Sequence, residues 1–127
     1  VENAKNYISN RMHPQLKKLG FSNYTVIRKS DNLKIGTCGL YDREGLNGID
    51  IGFAFLPEFE KQGFAFEATS VILKAAKDDF HIEELNAITL EKNTGSRKLL
   101  EKLGFDFKER IRIPDDPEEL FLYHLKL

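Results

Sequence analysis

The sequence predicts one mixed α/β (α+β) domain, a sheet covered by helices. Three observations carry this. Segments of strand-like and helix-like periodicity follow one another as helix, three strands, helix, strand, helix, two strands. The strongest strand, Ile49 to Leu56, leads through Pro57 and a short polar loop into a helical stripe. The chain has 127 residues and is 41% hydrophobic, enough to build a single core, and no linker or repeat divides it, so residues 1–127 read as one domain.

Ala4, Tyr7, Ile8 and Met12 recur at helical spacing, which predicts an amphipathic helix over residues 2–12. Pro14 ends or kinks it, and Gln15 to Leu19 add a turn closed by Gly20. Tyr24 to Ile27 are strand formers. Ser30, Asp31 and Asn32 make a turn, and Leu33 to Tyr41 return as the second strand of a hairpin. Gly36 and Gly39 within it mark a bulge or a close backbone approach. Asp42 to Gly48 form a loop. In the third strand Ile49, Ile51, Phe53 and Phe55 share one face, and Asp50, Gly52, Ala54 and Leu56 the other. Ala65, Ala68, Val71, Ile72, Ala75 and Ala76 form the stripe of a helix ending near Phe80. Leu85 to Leu90 is a short strand. Thr94 to Leu103 is a second amphipathic helix with Gly104 as its C-terminal cap. Phe105 to Ile113 and a segment through Leu120, Leu122 and Leu125 are the last strands, joined by a turn at Pro114 to Pro117.

Composition removes several classes of function. Lys and Arg number 19 against 20 Asp and Glu, so the basic excess of a duplex-binding protein is missing. Mean hydropathy is -0.41, and no apolar run approaches the ~20 residues of a membrane helix. Val1 to Asn10 is polar and has no apolar signal region. The single cysteine, Cys38, makes no internal disulfide. It fits a reducing, cytoplasmic setting and reads as a buried, inert thiol. His13, His81 and His124 have no metal-ligand spacing with one another or with Cys38, so no metal is expected.

Two stretches carry chemistry. In Glu60-Lys61-Gln62-Gly63-Phe64-Ala65, small residues stand where a helix begins, leaving amides free to cradle a phosphate. A tight turn at Gly63 explains the same glycine. In Asn93-Thr94-Gly95-Ser96, Asn93 and Ser96 follow a strand and open a helix. They cap it, reach a ligand at the strand end, or do both.

Together with Leu100-Glu101-Lys102-Leu103-Gly104-Phe105 and the run from Ile49-Asp50-Ile51-Gly52-Phe53 through Glu67-Ala68, these stretches resemble the GNAT superfamily of acyl-CoA-dependent N-acetyltransferases. The likeness is to the subgroup of ribosomal-protein alanine N-acetyltransferases, and is most specific from Ile49 to Phe105. It implies a mostly antiparallel sheet whose central parallel strands, Ile49 to Leu56 and Leu85 to Leu90, splay apart at their C-terminal ends. Acetyl-CoA lies in the opening. Its pantetheine arm pairs with the backbone near Phe55 and Leu56, and its pyrophosphate sits on the amides of Gln62, Gly63, Phe64, Ala65 and Phe66. Asn93 bonds the arm and Ser96 lies near the thioester sulfur. Glu60 departs from the Gln or Arg that often opens the family's phosphate loop. The family's first strand and helix have no counterpart ahead of Glu2.

The implied reaction is direct transfer of the acetyl group to a primary amine, of a protein N-terminus or a small molecule. The amine must be neutral to attack, and Asp50 is placed to take its proton, directly or through water. An exposed strand-end carboxylate is the plainer reading of Asp50. The amide of Phe55 polarises the thioester carbonyl, and Ser96 donates to the departing sulfur. Asp115, Asp116, Glu118 and Glu119 form a charged loop that is solvated or attracts a cationic acceptor. The competing function is a non-catalytic domain that binds acyl-CoA or a protein partner.

Overall fold

The computed structural model describes residues 20–114 and 116–127. The helix expected over residues 2–12 and the turn from Gln15 to Leu19 lie outside the described residues. Six strands form one sheet: β1 (Asn23–Arg28), β2 (Leu33–Tyr41), β3 (Asp50–Phe55), β4 (Glu84–Thr89), β5 (Asp106–Ile111) and β6 (Leu120–Lys126). Their spatial order is β1-β2-β3-β4-β6-β5. Helix α1 (Phe64–Asp78) joins β3 to β4, and α2 (Thr94–Lys102) joins β4 to β5. All neighbouring strands are antiparallel except β3 and β4. None of the described helices is long and apolar enough to cross a membrane.

The hairpin turn forms where polar residues cluster. The guanidinium of Arg28 donates to the Asp31 carboxylate at 3.1 and 2.6 Å, which also accepts the Leu33 amide at 3.2 Å. Asn32 supplies the left-handed conformation, with φ 59°. The register of β1 against β2 shifts between Val26 and Ile27, opposite the Gly36 end of β2. Both glycines of β2 are close approaches: a Cβ on Gly36 would lie 2.5 Å from the Ala54 carbonyl oxygen, and one on Gly39 2.6 Å from Asn23 Cα.

The core gathers Leu40, Ile51, Ala76, Leu85, Leu100 and Tyr123, with Phe21, Ala87, Phe105 and Phe121. Helix α1 faces it differently from the expected alanine-rich stripe. Val71 is 63% exposed, and the inner face runs instead through Thr69, Ile72, Leu73 and Ala76. Thr69 is fully buried because its hydroxyl donates to the Ala65 carbonyl at 2.6 Å, which removes the cost of burying a polar group. At the end of α2, Gly104 takes φ 98°. The Phe105 amide then donates back to Leu100, and the Phe105 ring enters the core. Cys38 is buried in β2, and burial pushes its thiol up to about 12, so it stays protonated and inert at neutral pH.

The feature that positions the site is the parallel pair. Strands β3 and β4 register only at Asp50 and Asn86, where the Asn86 amide donates to Ile49 at 2.9 Å. The Asn86 side chain also donates to Asn47 at 2.7 Å, tying the loop ahead of β3 to β4. Beyond this point the ladder stops, and the C-terminal halves of the two strands stand apart.

Candidate active site

The alternation of β3 decides which backbone groups face the gap. The Ile49 carbonyl points to β4 and the Leu56 amide donates to Ile35 in β2 at 3.0 Å. Odd-numbered residues therefore direct their N–H and C=O towards β4, and even-numbered ones towards β2. Past the last bridge, Phe53 and Phe55 offer backbone donors and acceptors to the opening. Leu56 was expected to share this task, but its amide is already engaged by Ile35.

A cavity of about 590 Å³ occupies the opening, lined by Phe53, Ala54, Phe55, Gly63, Ala65, Phe66, Asn93, Ser96 and Lys102, among others. Gly63 is the residue ahead of α1, with φ 85°, and the space where its Cβ would stand is empty to 4 Å. Glu67 is the first helical amide to reach a carbonyl of this turn, that of Gly63, at 3.0 Å. The amides before it carry the partial positive charge of the helix start. Gly63, Ala65 and Phe66 line the cavity. Gln62 is instead turned back, its side-chain amide donating to the Glu58 carbonyl at 2.6 Å. The Phe64 ring packs edge-on against Phe59.

A second cavity of about 450 Å³ borders β3, β4 and the start of α2. Its walls include Tyr41, Arg43, Asp50, Gly52, Ile113 and Asp116. The two cavities share Phe53, Ala54, Asn93 and Ser96, so they meet where β3 ends and α2 begins. Asn93 caps α2, its side-chain oxygen accepting the Ser96 amide at 3.1 Å. Capping and a place on both cavities therefore coincide in one residue.

Asp50 is not the exposed strand-end carboxylate of the plainer reading: its exposure is 0%. Arg43 Nε donates to both its oxygens at 3.3 Å, and Nη2 donates to Oδ2 at 3.1 Å. Burial raises the Asp50 carboxyl above the ordinary carboxylate range. The Arg43 charge and hydrogen bonds pull it back, and Asp42 pushes it up further. A Cβ on Gly52 would stand 2.8 Å from the Tyr41 ring edge, so Tyr41 occupies the space beside this glycine.

The family model of the acetyltransferase (GNAT) domain matches residues 1–106. The chain belongs to the GNAT acetyltransferase family. It is similar to the uncharacterized N-acetyltransferase YjdG of Bacillus subtilis, with 31% identity over 87 residues, 68% of this chain and 52% of that protein. The chain thus spans about half the length of that curated relative. Among solved structures it resembles the ribosomal-protein-S5-alanine acetyltransferase of Vibrio fischeri, with TM-score 0.76 and 20% identity, covering 90% of this chain and 66% of that one. It also resembles Mycobacterium smegmatis RimJ in complex with CoA-disulfide, with TM-score 0.77 and 15% identity, covering 91% and 57%. At these identities the two structures establish the GNAT fold, with its mostly antiparallel sheet and one parallel pair.

Three residues of this GNAT domain's site escaped the sequence reading. Phe53 follows from strand alternation once the bridge at Asp50 is known. Lys102 lines the larger cavity with its ammonium 4.3 Å from the centre of the Phe66 ring, one helical face away from Ser96. Arg43 lies in a loop seven residues before its partner, and no local spacing signals the pair. Among the described residues no group of His, Cys, Asp and Glu is arranged to hold a metal ion.

Proposed function

We propose that this GNAT domain transfers the acetyl group of acetyl-CoA directly to a primary amine. The observation that carries the reading is the meeting of two cavities at Phe53, Ala54, Asn93 and Ser96, which would let a donor in one and an acceptor in the other touch at one point. In this reading the larger cavity takes acetyl-CoA. Its pyrophosphate rests on the amides around Gly63, and its pantetheine arm pairs with the backbone of Phe53 and Phe55. Asn93 bonds the arm. The thioester then sits at the junction, its carbonyl polarised by the Phe55 amide and its sulfur beside Ser96.

The acceptor amine enters the smaller cavity as its neutral form. Its nitrogen attacks the thioester carbon, the carbon–sulfur bond breaks, and CoA leaves as the thiolate, which accepts a hydrogen bond from Ser96 and takes its proton from water. Asp50, which lines this cavity, takes the proton lost by the amine, directly or through a water. The Asp50 charge is already met by Arg43, so its role is to accept a proton rather than to attract a cation. A carboxyl raised by burial is a stronger base than an exposed one, which suits that task.

The test is release of thiol from acetyl-CoA in the presence of peptides with free N-termini and of small primary amines, set beside calorimetric binding of acetyl-CoA alone. Acetylated product with at least one acceptor is expected. Tight binding with no thiol released above the uncatalysed rate would leave only an acyl-CoA-binding domain.

The pair on α2 separates binding from chemistry. Ser96→Ala is expected to lower kcat about tenfold or more while leaving acetyl-CoA affinity within a few fold, because charge develops on the sulfur only as the bond breaks. Asn93→Ala is expected to weaken acetyl-CoA binding and to lower thermal stability by the ~1 kcal/mol of a lost cap. Both variants losing stability alone, with unchanged turnover per folded molecule, would reduce the pair to caps.

A further inference from the structure

We infer that Arg43 is a positioning residue of the acceptor cavity: its guanidinium clamps both oxygens of Asp50, keeping that buried carboxylate ionised and aimed. The inference rests on the reading of Asp50 as proton acceptor, and goes beyond it by naming what sets the pH at which the acceptor is competent.

The geometry is specific. Asp50 has no exposed surface, and Arg43 reaches it with three contacts of 3.1 to 3.3 Å while its own side chain stays 35% exposed. The carboxylate thus meets the cavity from beneath a guanidinium. The Arg43 head also lies over the Tyr41 ring, 5.3 Å from its centre. That ring is held in turn by its hydroxyl donating to Asn23 at 2.6 Å. A chain of contacts from β1 through Tyr41 therefore fixes where the guanidinium sits, and the guanidinium fixes the carboxylate.

Among the described residues, the charges around Asp50 leave this duty to Arg43. From the β2–β3 loop come Arg43 and Asp42, the latter an anion that opposes ionisation. β2 contributes Tyr41 at the register position of Asp50, and β4 contributes the neutral Asn86. Asp116, another carboxylate, lines the same cavity. Of these facing groups Arg43 is the cation. A buried carboxylate that loses its cation takes up a proton rather than stand unpaired, because the charged form carries the whole desolvation cost. A protonated Asp50 accepts nothing from an amine.

The experiment uses Arg43→Met, which keeps an unbranched apolar stem and loses the charge, and Arg43→Lys, which keeps the charge and loses the fork. Carboxyl-carbon NMR with labelled aspartate, assigned through Asp50→Asn, follows the titration of Asp50 without reference to activity. Its midpoint is expected to rise in Arg43→Met and to lie between parent and Met in Arg43→Lys. The acid limb of the kcat/KM profile is expected to follow, with a loss of about tenfold at pH 6 that fades above pH 8. An Asp50 titration unchanged in Arg43→Met overturns the inference, whatever that variant loses in stability. A titration that moves while the rate profile does not upholds the clamp and overturns Asp50 as the proton acceptor, so the two readings fail separately.

Discussion

Gly63→Glu is expected to abolish acetyl-CoA binding and leave the fold standing. Two effects separate cleanly at this residue. Its φ of 85° is a left-handed conformation that costs a side chain about 1–2 kcal/mol. That is modest against the ~5–15 kcal/mol that holds an ordinary domain together. No atom stands within 4 Å of the added Cβ, so no clash adds to it. The binding effect is larger. The new carboxylate would project over the helix-start amides proposed to receive the pyrophosphate, and would meet another anion there. At an effective dielectric near 20, two unit charges ~4 Å apart repel by about 4 kcal/mol. That alone weakens binding on the order of 10³-fold. Gly63→Ala is the control, carrying the backbone strain without the charge. It should lower the melting temperature about as much as Glu does and weaken binding far less. Calorimetric titration reads both variants, and an affinity in Gly63→Glu equal to the parent's would remove the phosphate cradle.

The strands and helices were legible because each is written in a short window. β2 runs from Leu33 to Tyr41 as its residues predict, and the turn at Asp31 and Asn32 is local chemistry. Gly104 capped its helix as expected because a C-cap is local as well. What could not be read from a window concerns tertiary partners. Val71 matched the helical period yet faces outward, since Thr69 satisfies its hydroxyl within its own helix and takes the inner position. The room beside Gly52 is occupied by Tyr41 from the neighbouring strand.

The site shows the same division. Gly63, Asn93 and Ser96 sit at helix starts, where residue type and local conformation are tightly linked, and all three line the larger cavity. Leu56 and Phe55 differ only in which way their amides point, and that depends on where β3 bonds β2. Asp50 is the sharpest case. A carboxylate at the head of a strand normally faces water, and its complete burial becomes tolerable only because Arg43 returns from a loop to pair with it.

Asp50→Asn is expected to cut turnover at neutral pH by about 10²-fold or more, the usual worth of a positioned base. The substitution keeps the size and leaves an oxygen for Arg43 to hold, so loss of packing is not the cause. An amine that is largely protonated at pH 7 has no lone pair, and once it attacks it must shed a proton. With Asp50 absent, that proton goes to bulk water. The pH dependence follows from the sign of the shift. Because burial raises the Asp50 carboxyl, the parent's rate should climb over a range above that of an exposed carboxylate, as the group gives up its proton. The variant has no such limb, and part of its loss should be recovered at high pH as free amine accumulates. Stability runs the other way. A carboxyl raised in the folded state holds its proton more tightly there than in the unfolded chain, so the parent loses stability as pH rises from the unfolded value through the raised one. The variant lacks that slope. Two other carboxylates compete for the role. Glu67 is exposed in the first turn of α1 and borders the groove beside β1, away from the acceptor cavity. Asp116 lines the same cavity as Asp50, its side chain accepting the Glu118 amide at 2.9 Å. Profiles of kcat/KM against pH for the parent, Asp50→Asn and Asp116→Asn therefore decide the matter. An Asp50→Asn profile that overlays the parent's, with Asp116→Asn losing the acid limb, would move the base from β3 to the β5–β6 loop.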